Sequence, residues 1–300
     1  MEIFLPKHIG FCFGISTAVN ECYNQLKNKS KKLLIFGEVA NNPDVIEDLQ
    51  LLGAKIIHDI EEIKSNAIVL IRAHGVERKV IDYLKKNNIA YIDKTCPKIN
   101  IIYKIIENDI LNEKKIIIMG NKEHPEVLGI ASRTEYNAII FKDIEELKIF
   151  LKEKYKKEYE YSMVFQTTFN INKYNKIIDL INNKFKNIKV HNTICNSTYN
   201  RQEEMKKIAP KMDEVIIIGG KNSSNSNKLY EIAKESCSKV QFIEDGNELQ
   251  LDNLTDRKKI LIGSGSSTPK NTIDSVIKKI VCFCQRKNIE FIVREESNEY

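Results

Sequence analysis

No C-x-x-C pair occurs among the seven cysteines of this 300-residue chain, which removes local zinc ribbons and thioredoxin-like redox motifs. The set (12, 22, 96, 195, 237, 282, 284) is odd in number, and the N-terminus lacks a basic stretch followed by a long apolar region. A disulfide framework is therefore not expected, and a reducing compartment is the default. No apolar run reaches the roughly 18 to 20 residues that cross a bilayer. Arginine is scarce as well. Of 47 basic residues 40 are Lys, dispersed among 41 acids, so the net charge of +6 forms no stripe of the kind nucleic acid selects. The pattern G-x-x-x-x-G-K-[ST] is absent, and GSGSST (263 to 268) lacks the third glycine of the dinucleotide fingerprint. No long Gly/Ser/Pro linker divides the chain, so its domains are expected to pack closely.

What is present is a globular composition, 42% apolar and 29% charged, in a chain long enough for two or three domains. Ile, Lys and Asn make up about two fifths of it, a bias that reflects an AT-rich coding sequence more than the demands of a site. Eleven short Ile/Val/Leu runs, from KLLIFGEV through AIVLIRAHG, KKIIIMGN and SMVFQTT to KILIGSG, alternate with stretches apolar at three and four spacing, such as VERKVIDYLKKNN and SNSNKLYEIAKESC. This is the alternation of parallel sheets with covering helices. An approximate repeat of about 90 residues gives each copy polar strand-end loops and one cysteine, in GFCFG, DKTCP and NTICN. Three similar α/β domains follow, at 1–97, 98–194 and 195–281, with 282–300 a tail returning to the body. Ligands of such sheets bind outside the carboxyl ends of the strands.

Those loops hold the chemistry. Cys12, Cys96 and Cys195 share one placement, which suits soft iron, although any one of them alone reads more readily as a small buried hydrophobe. Cys22, Cys237, Cys282 and Cys284 fall within or at the ends of predicted helices and read as structural. His74 in RAHGV and His124 in NKEHPEV can donate to an anion; His8, His58 and His191 have no such context. Glu126 is either a general acid with a raised pKa or an ordinary helix-start charge. GGKNSSNSNK (219 to 228) ends a strand and opens a helix with free N–H groups and hydroxyls, which suits a phosphate. QTTF (166 to 169) and GSSTP (265 to 269) add hydroxyl donors, or simply cap helices.

GFCFG, RAHG, DKTCP, EHPEV, QTT, NTIC, KNSSNSN and GSSTP, in this order and spacing, resemble the LytB-type reductases, the 4-hydroxy-3-methylbut-2-enyl diphosphate reductases of the non-mevalonate isoprenoid pathway. The match runs from residue 1 to about 280. The resemblance implies a trefoil of three α/β domains around a central [4Fe-4S] cluster, held by Cys12, Cys96 and Cys195. One iron lacks a protein ligand and receives the substrate hydroxyl; its loss leaves [3Fe-4S]. His74, His124, Ser223, Ser224, Asn225 and Ser267 would hold the diphosphate, and Thr167 and Glu126 would serve the hydroxyl end. The implied reaction is a two-electron, two-proton dehydroxylation giving isopentenyl or dimethylallyl diphosphate. Electrons would come from an external carrier such as ferredoxin or flavodoxin, since no flavin or nicotinamide motif is present.

Two departures stand out. The family usually has a histidine where this chain has Asn41, a substrate-site residue that can still donate a hydrogen bond but carries no charge. Lys270 stands where an acid is usual. No S1-type extension follows residue 300, so the fused form of the family is not expected. Two rivals remain on sequence alone. An iron–sulfur hydro-lyase would need Arg to clamp carboxylates, and only Arg72 and Arg201 lie near the motif loops. A basic nucleic-acid-binding module would show salt-dependent binding without a chromophore. Neither nucleic acid nor membrane is an expected partner. The composition fits a plastid stroma, with its leader absent here, slightly better than a bacterial cytoplasm.

Overall fold

The computed structural model describes residues 1–28, 31–63, 66–182 and 184–295, so the last five residues of the expected tail lie outside them. In chain order, β1 (Glu2–Leu5) leads through a loop to α1 (Phe13–Asn28). Next come β2 (Lys32–Phe36), α2 (Pro43–Leu51), β3 (Lys55–Ile57), β4 (Ala67–Ile71), α3 (Arg78–Lys86) and β5 (Tyr91–Asp93). The middle of the chain repeats the scheme: α4 (Pro97–Leu111), β6 (Lys115–Met119), α5 (Pro125–Ala131), β7 (Ile139–Phe141), α6 (Ile144–Glu153), β8 (Tyr161–Phe165), α7 (Ile171–Asn182) and β9 (Ile188–Val190). The last third holds α8 (Asn196–Ile208), β10 (Glu214–Ile218), α9 (Ser224–Ser236), β11 (Val240–Ile243), β12 (Lys259–Ser264), α10 (Lys270–Arg286) and β13 (Ile292–Glu295).

The strands form three sheets, parallel in every pair. Two share one order, β3-β2-β4-β5 and β7-β6-β8-β9. The third runs β11-β10-β12-β1-β13, so the strand nearest the N-terminus occupies the fourth-strand position of a sheet otherwise built from residues 214–264 and 292–295. The three-domain α/β expectation is thus met. Residues 1–5, however, pair with Lys259–Leu261 on one side and Ile292–Glu295 on the other, not with the strands of 32–93.

Parallel strands covered on both faces need continuous apolar runs rather than alternation. Accordingly every residue of YSMVF in β8 and of EVIII in β10 is buried. Ile216, Ile218, Ile260 and Ile262 pack with Ile273, Val276 and Ile280 of α10. Ile116, Ile118 and Val164 meet Ile102, Ile106 and Ile130 of α4 and α5. Each such side chain contributes roughly 1.5 to 3 kcal/mol on burial. The chain divides into two compact units: residues 1–16, 40–48 and 196–300, and residues 17–39 and 49–195. The first unit holds the five-stranded sheet, the second the two four-stranded ones.

In each sheet the order places a topological switch between its first and third strands. Those are β2 and β4, β6 and β8, and β10 and β12. The loops leaving them carry Asn41 and His74, His124 with Glu126 and Thr167, and Ser223–Asn225 and Ser267. The fourth strands, β5, β9 and β1, lead to Cys96, Cys195 and Cys12.

Candidate active site

The three cysteines occupy equivalent positions. Each directly precedes a helix, namely α1, α4 and α8, and each is half-buried. The backbone N–H of Cys12 donates to the Ser266 carbonyl at 3.1 Å, that of Cys96 to Ala73 at 3.0 Å, and that of Cys195 to Thr167 at 3.0 Å. In every case the acceptor lies in the loop after the third strand of the same sheet. A helix N-terminus carries partial positive charge and stabilises anionic sulfur. All seven cysteines are thiols rather than disulfides. Among the described residues no three His, Cys, Asp or Glu side chains form a ready-made metal group. The fit to an iron–sulfur cluster rests instead on three like-placed soft donors at positive helix ends. Cys22, Cys237 and Cys284 are buried as structural residues, whereas Cys282 is exposed.

In the second unit, Pro125 at the first position of α5 fixes its start, and the His124 side chain caps it by accepting from the Glu126 N–H at 3.2 Å. That bond uses Nδ1 of His124, which leaves the proton of the neutral ring on Nε2. Glu126 is 1% exposed, and its two oxygens accept from the Thr167 N–H at 2.6 Å and the Thr167 hydroxyl at 2.7 Å. Burial raises its pKa to about 7, the two Thr167 bonds opposing the shift. The carboxyl is a proton carrier near neutrality. Its neighbour Glu123 is exposed.

His74 and His124 meet edge to face, ring centroids 5.9 Å apart. Burial lowers the pKa of both, with the Arg72 guanidinium adding to the effect; His124 falls to about 4 and His74 well below its usual value. Both are neutral hydrogen-bond donors at physiological pH. Arg72 itself was visible to sequence reading only as a residue near the motif. It lies over Gly37, whose positive φ of 74° and missing Cβ leave room for the guanidinium; one Nη donates to the Glu38 carbonyl at 3.1 Å, and its Nε is buried without a partner.

Gly75 holds the His74 loop in a left-handed turn, φ 73°, against the Tyr103 hydroxyl. Gly75→Ala is expected to destabilise the protein by about 1 to 3 kcal/mol through that conformation, and by more if Tyr103 cannot shift. A urea midpoint no lower than wild type would show that the turn is not strained.

In the first unit, Ser223 caps α9 by accepting from the Ser226 N–H, and Asn225 is 2% exposed with both amide atoms lacking any partner. A buried side-chain amide so left is costly unless a ligand satisfies it. The Ser267 hydroxyl donates to the Asn41 carbonyl at 3.5 Å, and Gly220 packs against the same carbonyl. Asn41 thus borders the Ser223 loop, while Asn42 is spent capping α2. Lys270 is exposed at the first position of α10, and nothing in the structure explains it.

The expected residues fall into two groups. Asn41, Ser223, Ser224, Asn225, Ser267 and Cys12 belong to the first unit; His74, His124, Glu126, Thr167, Cys96 and Cys195 belong to the second. The histidines set aside stay apart: His8 binds Glu204, His191 binds buried Asp109 at 3.0 Å, and His58 is exposed.

Residues 3–281 match the profile of the family described as LytB protein. The chain belongs to that family. It is 35% identical over 286 residues to a 4-hydroxy-3-methylbut-2-enyl diphosphate reductase from Caldanaerobacter subterraneus, covering 93% of this chain and 96% of that one. Its fold is similar to the E-1-hydroxy-2-methyl-but-2-enyl-4-diphosphate reductase of Plasmodium falciparum, with TM-score 0.90 and 25% identity over 99% of this chain and 93% of the other. It is also similar to a solved (E)-4-hydroxy-3-methyl-but-2-enyl diphosphate reductase, described as the terminal enzyme of the non-mevalonate pathway, with TM-score 0.67 and 34% identity over 93% and 99% of the two chains. Bacterial relatives such as those from Caldanaerobacter and Campylobacter hominis give the plastid expectation no support. No helix among the described residues is long and apolar enough to cross a membrane.

Proposed function

We propose that this LytB-family protein is an iron–sulfur oxidoreductase that converts 4-hydroxy-3-methylbut-2-enyl diphosphate to isopentenyl and dimethylallyl diphosphate. The observation that carries the reading is Glu126, a buried carboxyl that holds its proton near pH 7 and is bonded to the Thr167 hydroxyl. The balance is one allylic alcohol, two electrons and two protons in, one alkene and one water out. Cys12, Cys96 and Cys195 would hold a [4Fe-4S] cluster, which when bound supplies the electrons and an iron without a protein ligand to accept the hydroxyl oxygen.

The chain's own residues do the rest. Glu126 gives up its proton through Thr167 Oγ1, 2.7 Å away, so that the hydroxyl departs as water. His124 through Nε2, and His74, donate to diphosphate oxygens as neutral groups. Asn225, whose amide lacks a partner, binds with Ser223, Ser224 and Ser267, and Asn41 adds a neutral donor. Electrons enter from an external carrier of the ferredoxin or flavodoxin class.

Anaerobic purification tests this directly. A brown protein that reduces the allylic diphosphate with reduced ferredoxin or a viologen dye supports the reading; water loss or addition without net reduction makes it a hydro-lyase. The pH profile is a second check. Glu126 must be protonated to donate, so kcat should be level at pH 5 to 6, fall to about half near pH 7 and drop about tenfold per unit well above it. A rate that climbs through pH 8 places the proton source elsewhere.

A further inference from the structure

The segment from His8 to Gly10 that leads into Cys12 is gripped by one face of α8, and the centre of the grip is Arg201. This side chain is 5% exposed. Its Nη1 donates to the His8 carbonyl at 2.7 Å and to the Ser264 carbonyl at 3.3 Å, and its Nη2 to the Gly10 carbonyl at 2.7 Å. Its Nε reaches the Ser197 hydroxyl at 3.4 Å. Beside it in α8, Asn200 Nδ2 lies 3.0 Å from His8 Nε2, and about a turn further on Glu204 holds the His8 N–H at 3.1 Å and Nδ1 at 2.5 Å. The Gly10 N–H meanwhile donates to Ser264 Oγ at 2.8 Å.

We infer that Arg201 is a positioning residue that fixes the Cys12 thiol by tying the His8–Gly10 backbone to the end of β12. Only a planar fork of donors can serve several carbonyls from one buried point; a lysine ammonium at the end of a flexible stem cannot span them. The loop entering Cys12 is irregular, and its carbonyls face the protein interior, where they need partners. Arg201 supplies them from a helix that is itself anchored in the core by Met205 and Ile208. The consequence for iron rests on the proposed cluster; the placement of the thiol does not.

The test uses the full-length protein without iron first. Alkylation of each cysteine by iodoacetamide, followed by peptide mass spectrometry, is compared among wild type, Arg201→Lys, Arg201→Met and Glu204→Gln. Cys12 is expected to react at least about fivefold faster in both Arg201 variants and less markedly faster in Glu204→Gln, as weakening a hydrogen bond does to a local opening. Cys96 and exposed Cys282 should keep their wild-type rates. Equal acceleration at all three cysteines, or none at Cys12, would overturn the inference. Should Arg201→Met lose its fold by circular dichroism, the Lys and Glu204 variants decide. After reconstitution, iron loss to a chelator should be faster in Arg201→Lys; a wild-type protein that takes up no iron would instead sink the cluster reading and leave the alkylation result standing.

Discussion

Cys12→Ser, Cys96→Ser and Cys195→Ser are each expected to lower bound iron and sulfide at least about tenfold after anaerobic reconstitution, because a hard hydroxyl is a poor ligand for iron–sulfur clusters. The three belong together on structural grounds that the other cysteines do not share. Each stands at the mouth of a helix and is tied by its own N–H to the loop after a third strand. Cys237→Ser is the control and should retain full iron, since that buried thiol donates to the Met212 and Lys239 carbonyls and has no such placement. Cys22 is a further contrast, its thiol pushed up to about 12 by burial within α1. Iron analysis with electron paramagnetic resonance reads the outcome. Full occupancy in any of the first three variants removes that residue from the ligand set.

Glu126→Gln should leave iron content and substrate affinity near wild type while kcat drops by about a hundredfold or more, the share that general acid catalysis commonly supplies. Gln preserves volume and can still pair with Thr167, but it has no proton to transfer. The same substitution has a second, independent signature. The carboxyl's pKa is raised from 4.5 to about 7 in the folded protein, so its favourable contribution is complete below 4.5 and is lost as pH rises through 7. At pH 8 the wild-type protein therefore holds a buried charge that Gln lacks, a difference of up to about 3 kcal/mol. Glu126→Gln is expected to melt higher than wild type at pH 8 and alike at pH 4.5. Unchanged turnover together with a raised melting point would mark Glu126 as a buried acid without a role in proton delivery.

Much of this architecture is legible in the sequence because parallel strands announce themselves. All eleven apolar runs read as strands contain strands, and the polar residues after them occupy the loops. What escaped was β1. EIFL is a four-residue strand, and its choice of partners more than 250 residues away depends on which sheet has a vacant edge, not on any local pattern. Residues 1–97 therefore looked like one domain. Arg201 was equally opaque in its role, since backbone carbonyls leave no trace in a sequence. Burial divided the carboxylates of the EHPE segment, leaving Glu123 in solvent and Glu126 enclosed, and only packing could make that distinction.

The placement of β1 also sets an order of events during synthesis. The strands of the two four-stranded sheets lie within residues 32–190, so both can pair while the remainder is still on the ribosome. β1 emerges before either, yet its neighbours β12 and β13 are not made until residues 259–264 and 292–295. The first strand translated must wait for nearly the last. Until then Cys12 has no Ser266 carbonyl to hold it, and the Arg201 side chain has no Ser264 carbonyl to which it can tie the His8–Gly10 segment, so the thiol nearest the start of the chain is the last of the three to reach its place.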